Sequence, residues 1–309
     1  MSILAIGTVA FDAIETPFGK VDRILGGSAT YITLAARYFT NELRLSAVVG
    51  SDFPQSDIDL FHQNGINTDG LIIDPTGKTF FWSGKYHMDL NNRDTLQTDL
   101  NVLATFDPKL PESYLNSEIV CLGNLDPSIQ LNVLNQLHQP ELVVLDTMNY
   151  WIERTPDKLR AVLERADVLI INDAEARQLA NVPNLIKAAR IIRAMGPKYL
   201  VIKKGEHGAL LFGEEAIFSA PALPIEDVVD PTGAGDSFAG GFVGYLASVR
   251  SYDFESLKLA VIYGSTMASF NVEAFGPDRL LHLTRSEILH RADRFRMLGA
   301  IPEEVYEAI

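Results

Sequence analysis

A short run of small residues in front of an aspartate carries the strongest chemical signal in this 309-residue sequence. Within residues 230–236, Gly233, Ala234 and Gly235 directly precede Asp236. Backbone N–H groups with little side chain over them are accessible to an anion, and the N-terminal end of a helix favours negative charge. A carboxylate beside an anion site is unfavourable unless it accepts a proton from an attacking hydroxyl group. Positioning, charge neutralisation and a base are what phosphoryl transfer requires, so we expect that reaction.

The elements around this run must position it. Residues 225–229 are predicted to end a strand, and residues 235–248 to form a long apolar helix. Asp236 then falls in the first helical turn, facing whatever the small residues bind. A glycine-rich loop followed by an ordinary first-turn aspartate is the alternative, but strand, loop, acid and helix coincide here.

Composition limits the partners of the chain. It has 26 Lys and Arg residues against 40 Asp and Glu residues, a formal net charge of −14. Such a surface repels nucleic acid phosphates and anionic lipids, so we expect neither nucleic acid nor membrane as a partner. An anionic substrate would therefore have to be held by a local feature of the fold.

The intracellular setting is predicted from what the sequence lacks. Its single cysteine, Cys121, lies in an apolar run and is typical of a buried structural thiol in a reducing compartment. No apolar run approaches the roughly 18 residues of a membrane-spanning helix. The first residues resemble a β-strand more than a signal peptide, so we expect a cytoplasmic protein.

Short apolar runs alternate with helical patterns along most of the chain. This alternation predicts βαβ units, and hence a doubly wound, mainly parallel sheet covered by helices on both faces. The predicted strands are residues 3–6, 45–49, 119–122, 142–145, 168–171 and 200–202. The predicted helices, besides residues 235–248, are residues 28–39, 127–137, 156–165, 184–195, 254–270 and 285–297.

Two segments break this alternation and predict a small antiparallel β lid. Residues 79–86 are aromatic and strand-like, and they are followed by a polar turn and a second strand-like stretch ending near residue 103. Residues 11–25 could add a further strand. The chain is therefore predicted to be one α/β domain, residues 1–309, into which a lid of residues 11–25 and 79–103 is inserted.

Four motifs in this order resemble the ribokinase-like (PfkB) carbohydrate and nucleoside kinases. The longest is Asp-Pro-Thr-Gly-Ala-Gly-Asp-Ser-Phe-Ala-Gly-Gly-Phe at residues 230–242, which resembles the C-terminal signature of that family. The others are the diglycine Gly26-Gly27, Asn172-Asp173-Ala174-Glu175, and Lys204-Gly205-Glu206-His207-Gly208. Together they span most of the chain and are specific, whereas the diglycine alone would be a weak signal.

The resemblance implies a role for each matching residue. Asp236 would take the proton from the acceptor hydroxyl, and Gly233, Ala234 and Gly235 would form the anion hole. ATP and Mg²⁺ are implied as donor and cofactor. The residues implied to bind the nucleotide are Asn172, Lys204, Gly205, Gly208, Thr232 and Gly264. Glu175 would hold Mg²⁺ through water. The residues matching a monovalent cation (K⁺) site of many relatives are Asp230, Thr232, Asn271, Ala274 and Gly276.

The acceptor is less defined. By resemblance, Asp12, Gly26 and Gly27 would hold acceptor hydroxyls. Sugar-directed relatives often carry asparagines where this chain has Ala10 and Tyr31, so two amides suited to sugar hydroxyls are missing. The surrounding aromatic residues could stack on a sugar or a nucleobase, or could pack the lid against itself or a second subunit.

These observations leave several acceptors open. The first expectation is transfer of the γ-phosphoryl group of ATP to a hydroxymethyl group of a small sugar or sugar derivative, and the alternative is a nucleoside. Lys85 and Arg93 keep a phosphosugar or sugar acid open as acceptor. A homodimer through the lid is also predicted.

Other classes of protein fit less well. The chain has no Gly-x-x-x-x-Gly-Lys-Ser/Thr motif, and no Gly-x-Gly-x-x-Gly motif follows the first strand, which argues against P-loop and dinucleotide sites. A catalytically silent sugar or nucleotide sensor is a less favoured alternative, because Asp236 and the glycines of the anion hole are present.

Overall fold

The computed structural model describes residues 1–300, which form thirteen strands and eleven helices. The strands are β1 (Ile3–Ile6), β2 (Ala10–Thr16), β3 (Gly19–Gly26), β4 (Leu43–Gly50), β5 (Ile66–Asp74), β6 (Phe81–Tyr86), β7 (Arg93–Asp99), β8 (Ile119–Leu122), β9 (Leu142–Asp146), β10 (Val168–Asn172), β11 (Tyr199–Lys203), β12 (Ala209–Phe212) and β13 (Ile217–Ala220). The helices are α1 (Ser28–Ala36), α2 (Gln55–Gln63), α3 (Pro127–Gln136), α4 (Asn149–Arg154), α5 (Pro156–Leu163), α6 (Asp173–Ala180), α7 (Leu185–Arg193), α8 (Ala234–Val249), α9 (Phe254–Asn271), α10 (Asp278–Leu281) and α11 (Arg285–Leu298).

Nine strands form one large sheet in the order β13-β12-β11-β10-β9-β8-β1-β4-β5. Neighbours from β11 to β5 are parallel, and β12 and β13 add an antiparallel edge. A sheet of this kind is buried on both faces, which explains why its central strands are apolar throughout and do not alternate with polar residues. The predicted doubly wound, mainly parallel sheet is confirmed.

Helices cover both faces of the large sheet and enclose two apolar layers. One layer packs side chains such as Ile3 and Val201 against α1, α2, α8, α9, α10 and α11. The other packs their sheet neighbours, such as Leu4 and Ile202, against α3, α4, α5, α6 and α7. Because side chains alternate along a strand, every second residue faces the layer that contains α8.

Four strands form the second, smaller sheet in the order β3-β2-β6-β7. The pair β6–β7 is antiparallel, as predicted. Residues 11–25 were predicted to add one strand, and they instead contribute two, because β2 and β3 form a second antiparallel hairpin. β2 and β6 join the two hairpins in parallel, with Asp12 opposite Trp82 and Glu15 opposite Lys85. We call this sheet the lid. Its two parts come from the two segments that the sequence indicated, residues 11–25 and 79–103.

One predicted element was wrong, and the last residues are not covered. Residues 225–229 are not a strand; Val229 and Asp230 donate backbone hydrogen bonds to the Val272 carbonyl just after α9, and they form no ladder with any strand in residues 1–300. These two hydrogen bonds to one carbonyl at the end of α9 hold the segment in place, so it needs no neighbouring strand. The last nine residues of the predicted 1–309 domain, 301–309, lie outside the described residues.

Candidate active site

The loop before α8 has a backbone that only small residues allow. Gly233 caps the helix with φ 76° and ψ −1°, a left-handed conformation that favours glycine. A Cβ atom at this position would also overlap the ring of Tyr31. A Cβ at Gly235 would lie 2.7 Å from the Lys203 ammonium nitrogen. The predicted anion hole therefore lies between the ring of Tyr31 and the ammonium of Lys203, with its first helical N–H groups at the positive end of α8.

Asp236 lies in the first turn of α8, directly behind this loop. Burial raises the pKa of its carboxyl to about 7, with a further contribution from Asp146 that Lys203 and Arg93 oppose. A carboxyl group with a pKa near the working pH can accept a proton and later release it, as a general base requires. The residue predicted to be the base therefore has the electrostatic environment of one.

Asp12 faces the same space from the lid strand β2 and is 4% exposed. Burial, followed by the negative charges of Asp230 and Asp236, raises its pKa to about 8. A Cβ at Gly26 would overlap the Asp12 carboxylate, and Gly27 has φ 94° against the Thr8 carbonyl. The diglycine is thus needed for the approach of β3 and α1 to Asp12.

Tyr31 forms part of the wall between these residues. It is 1% exposed, and its hydroxyl group has no hydrogen-bond partner in the described part of the chain. Burial raises its pKa well above the ordinary value, and Asp12, Asp230 and Asp236 raise it further. An unpaired buried hydroxyl costs roughly 1–3 kcal/mol, so this group is available to a bound molecule.

Asn172 and Glu175 form a reciprocal cap at the start of α6. The Asn172 side-chain oxygen accepts the Glu175 N–H at 2.8 Å, and a Glu175 carboxylate oxygen accepts the Asn172 N–H at 2.8 Å. Burial and the charge of Asp146 raise the pKa of Glu175 to about 7, against the opposing charge of Lys203. These hard oxygen donors suit Mg²⁺. Within residues 1–300, no group of three His, Cys, Asp or Glu side chains could hold a metal by itself, which fits a metal held mainly by phosphates and water.

The predicted nucleotide turn is the hairpin between β11 and β12. Gly205 and Gly208 have φ of 54° and 84°, and the Lys204 N–H donates to the Gly208 carbonyl at 2.8 Å. A Cβ at Gly205 would lie 2.8 Å from the Asn91 side-chain oxygen, so the tip of the lid reaches this turn. Gly264 packs against Phe238 of α8, which gives its small size a structural reason, and its contact with the adenine stays a prediction.

The structure brings four of the predicted cation ligands together. Asp230 accepts the N–H groups of Thr232 at 2.8 Å and Gly276 at 3.2 Å, and the Asn271 amide donates to the Thr232 carbonyl at 2.7 Å. Asp230 is fully buried. Ala274 makes no contact with this group in the hydrogen bonds of the described chain.

One face of the lid is turned towards the site, and the other is turned away from it. Thr232 donates a hydrogen bond to the Tyr86 hydroxyl at 3.1 Å. Burial raises the pKa of Asp236 and of Glu175, and the charge of Arg93, which pairs with Tyr86 across the lid, opposes part of this rise. Lys85 points the other way and pairs with Glu15 at 2.6 Å, so its position gives no support to the predicted role in substrate binding.

Sequence reasoning missed two buried residues of this site, Asp146 and Lys203. They end β9 and β11, and Lys203 lies beside Asn172 in the sheet register. Both stand two residues beyond an apolar side chain of the α8 layer, Val144 and Val201. Strand alternation therefore places them on the α8 face, and this pattern is the signal that could have identified them.

The doubly wound sheet, the β lid and the glycine-lined helix start before the buried Asp236 are consistent with a small-molecule kinase, and the comparisons point to the same class. The family model described as pfkB family carbohydrate kinase matches residues 2–282, and the chain belongs to this family. It is therefore a phosphotransferase with an alcohol group as acceptor.

Three proteins similar to this chain indicate its place in the family. The cytidine kinase of Thermococcus kodakarensis is 31% identical over 79% of this chain and 87% of its own. The structure of Burkholderia thailandensis nucleoside kinase in complex with inosine has a TM-score of 0.76 at 22% identity and covers 97% of this chain and 100% of its own. That of a ribokinase II-like protein from E. coli in complex with ATP and Mg²⁺ has a TM-score of 0.76 at 17% identity, over 95% of this chain and 99% of its own.

Among the described residues, no helix is both long enough and apolar enough to cross a bilayer.

Proposed function

We propose that this protein is a nucleoside kinase that transfers the γ-phosphoryl group of ATP to a hydroxymethyl group of the nucleoside. The observation that carries the proposal is the convergence of Asp12 and Asp236, from the lid and from the start of α8. Burial raises the pKa of Asp12 most, and the negative charges of Asp230 and Asp236 raise it further, so Asp236 is close enough for its charge to affect Asp12. One can bind acceptor hydroxyls while the other activates the hydroxyl that reacts.

The chemistry follows from the groups at the helix start. Asp236 accepts the proton of the acceptor hydroxyl, and the N–H groups from Gly233 to Gly235 stabilise the charge on the phosphoryl oxygens. Mg²⁺ with ATP would be held near Asn172 and Glu175 and would neutralise phosphate charge. The lid covers this space, which excludes water as a competing acceptor.

A nucleoside is favoured over a plain sugar for two reasons. The cytidine kinase relative matches most of both chains at 31% identity. In addition, Tyr31 and Ala10 offer no amide for sugar hydroxyls, whereas Tyr31 presents a buried, unpaired phenol close to Asp12. A small sugar is the second candidate, because the family model itself describes carbohydrate kinases.

The test is a screen of ATP consumption with Mg²⁺, comparing pyrimidine and purine nucleosides with sugars, sugar acids and phosphosugars. We expect a nucleoside to give the highest kcat/KM, and the product to be its 5′-monophosphate by mass spectrometry. The same screen with Asp236→Asn controls for contaminating kinases. A sugar preferred over every nucleoside would overturn the acceptor, and no turnover with any acceptor would favour a silent sensor.

We also propose that K⁺ binds beside the anion hole. Asp230 is buried and has only two backbone donors among the described residues, from Thr232 and Gly276, for its two oxygens. A monovalent cation would neutralise the remaining charge. Activity should rise severalfold when K⁺ replaces a bulky organic cation at constant ionic strength, and equal activity in both would contradict the proposal.

A homodimer through the outer face of the lid is a further proposal. Leu96 is 59% exposed on this face, beside Phe81 and Ala13, and the charged residues Glu15, Lys20 and Asp22 border the same surface. An exposed apolar side chain within a charged border is typical of a contact surface. Light scattering should give a mass of twice the chain. Leu96→Asp should yield a monomer, whereas Leu289→Asp, exposed on α11, should not. A monomeric wild-type protein would refute this interface.

A further inference from the structure

Lys203 is a lysine whose side chain is largely buried, which is rare for a charged residue. Its side chain is 18% exposed at the end of β11, and its ammonium nitrogen lies 3.9 Å from Asp146. This is beyond hydrogen-bond distance, and no hydrogen bond from this ammonium exists among the described residues. A lysine ammonium carries three donors, and burying it without partners is strongly unfavourable. The position therefore calls for another acceptor.

The place of the ammonium indicates what that acceptor is. The nitrogen would lie 2.7 Å from a Cβ on Gly235, so it is adjacent to the backbone of the predicted anion hole. Burial by itself would lower the pKa of Lys203, but the carboxylates of Asp146, Glu175 and Asp236 outweigh it and raise this pKa, so the amine stays protonated. The first two helical N–H groups and this ammonium border one small space.

The negative charge around this space is a second reason to expect a cation there. Four carboxyl groups surround the site, those of Asp12, Asp146, Glu175 and Asp236, and the chain as a whole has a net charge of −14. An incoming triphosphate adds further negative charge. Arg93 is the other nearby cation that affects Asp236, and it belongs to the exposed part of the lid, whereas Lys203 is part of the rigid sheet.

We propose that Lys203 is a catalytic residue whose ammonium contacts the oxygens of the transferring phosphoryl group next to Gly235. The inference rests on the proposed phosphoryl transfer at Asp236. In the step, the bond between the terminal phosphorus and the bridging oxygen of ATP breaks, and a bond from the acceptor oxygen to that phosphorus forms. The acceptor proton goes to Asp236, and Lys203 keeps its proton throughout.

The proposed contact with the phosphoryl group leads to an effect that a purely structural lysine would not have. A cation held beside the γ-phosphoryl group stabilises ATP but has little to contact in ADP. The free energy of a charge-assisted hydrogen bond corresponds to roughly 10- to 100-fold in affinity. Removal of Lys203 should therefore weaken a non-hydrolysable ATP analogue by that factor relative to ADP, and should lower kcat by on the order of 10²–10³-fold.

The experiment compares Lys203→Met and Lys203→Arg with Lys198→Met, which alters an exposed lysine at the other end of the same strand region. Calorimetry measures the affinity of each variant for ADP and for the ATP analogue with Mg²⁺, and steady-state assays measure kcat. Lys203→Met should bind ADP within about threefold of wild type, which also shows that it folds. Lys203→Arg keeps the charge and should recover part of both losses.

Two results would overturn the inference. The first is that Lys203→Met weakens binding of ADP and of the ATP analogue equally and that Lys203→Arg is equally impaired, since this pattern assigns Lys203 a purely structural role. A kcat within threefold of wild type would also refute it. If the wild-type protein phosphorylates no acceptor, the proposed function fails, while the difference between ADP and the ATP analogue still tests Lys203.

Discussion

Thr232 of the loop before α8 donates a hydrogen bond of 3.1 Å to the hydroxyl group of Tyr86, the last residue of lid strand β6. This bond joins the lid to the loop that contains the predicted anion hole. At the lid tip, Asn91 lies close to Gly205 in the predicted nucleotide turn. The lid therefore contacts both parts of the predicted site, and one of these contacts is a direct hydrogen bond to the loop before α8.

Tyr86→Phe tests this link. Loss of the hydrogen bond should loosen the closed lid and admit water, so ATP hydrolysis without acceptor should rise severalfold relative to acceptor phosphorylation. The two rates are measured by release of inorganic phosphate and by formation of phosphorylated acceptor. Tyr150→Phe, which alters a half-exposed tyrosine of α4, is the matched control. An unchanged ratio in Tyr86→Phe would show that the bond does not control closure.

Asp236→Asn tests the base. The amide cannot accept the acceptor proton, so kcat should fall by on the order of 10²–10⁴-fold. Affinity for ADP should stay near that of the wild type, because the N–H groups and nucleotide turn are unchanged. Steady-state kinetics and calorimetry measure the two effects. Near-normal turnover in this variant would exclude Asp236 as the base.

The pKa of Asp236 also predicts a pH dependence. Burial and the charge of Asp146 raise this pKa to about 7, against the charges of Lys203 and Arg93. A base works in its deprotonated form, so kcat/KM for the acceptor should rise between about pH 6 and pH 8. The residual activity of Asp236→Asn should lack this limb, although Asp12 is still present. A profile flat below pH 7 in the wild type would contradict the raised pKa.

Gly233→Ala tests the shape of the anion hole. The new Cβ would occupy a left-handed backbone and overlap the Tyr31 ring, so both stability and activity should fall. Gly65→Ala is a matched control, because Gly65 also has a positive φ, 71°, but no atom within 4 Å of the added Cβ. The control should lose about 1–2 kcal/mol of unfolding free energy and no activity. Equal effects of both substitutions, by thermal unfolding and kcat, would argue against a functional constraint at Gly233.

Tyr31→Phe tests the unpaired phenol. Since the hydroxyl has no partner in the described chain, its removal should leave the unfolding free energy unchanged or slightly higher. If the hydroxyl binds the acceptor, the KM for the acceptor should rise roughly 5- to 20-fold, while that for ATP stays constant. Tyr114→Phe, whose hydroxyl donates to the Asn67 carbonyl at 2.9 Å, should instead lose stability and keep the KM. An unchanged acceptor KM in Tyr31→Phe would remove this residue from the acceptor site.

Local pattern was enough to predict the core of the fold. Two-sided apolar runs such as β8 and β10 can exist only in a covered parallel sheet, and their positions were predicted within a residue or two. The motif around Asp236 predicted the start of α8, which the structure confirms, and the role of Asp236 as general base stays a prediction. The prediction of a strand at residues 225–229 was wrong because an apolar extended segment can be hydrogen-bonded to the end of a helix, here at Val272, as well as to a neighbouring strand.

The sequence by itself determined the family and the doubly wound sheet, and it predicted the residues of the anion hole, because these depend on contiguous motifs and on the period of the side chains. Only the tertiary structure decided that Lys203 and Asp146 lie near Gly235 and Asp236, since they are 33 and 90 residues before Asp236 in the sequence and are brought to the site by the register of the sheet. It likewise decided that Lys85 faces away from the site and Tyr86 towards it. Burial, distance and the charge of neighbours arise from packing between distant segments, and no local pattern contains them.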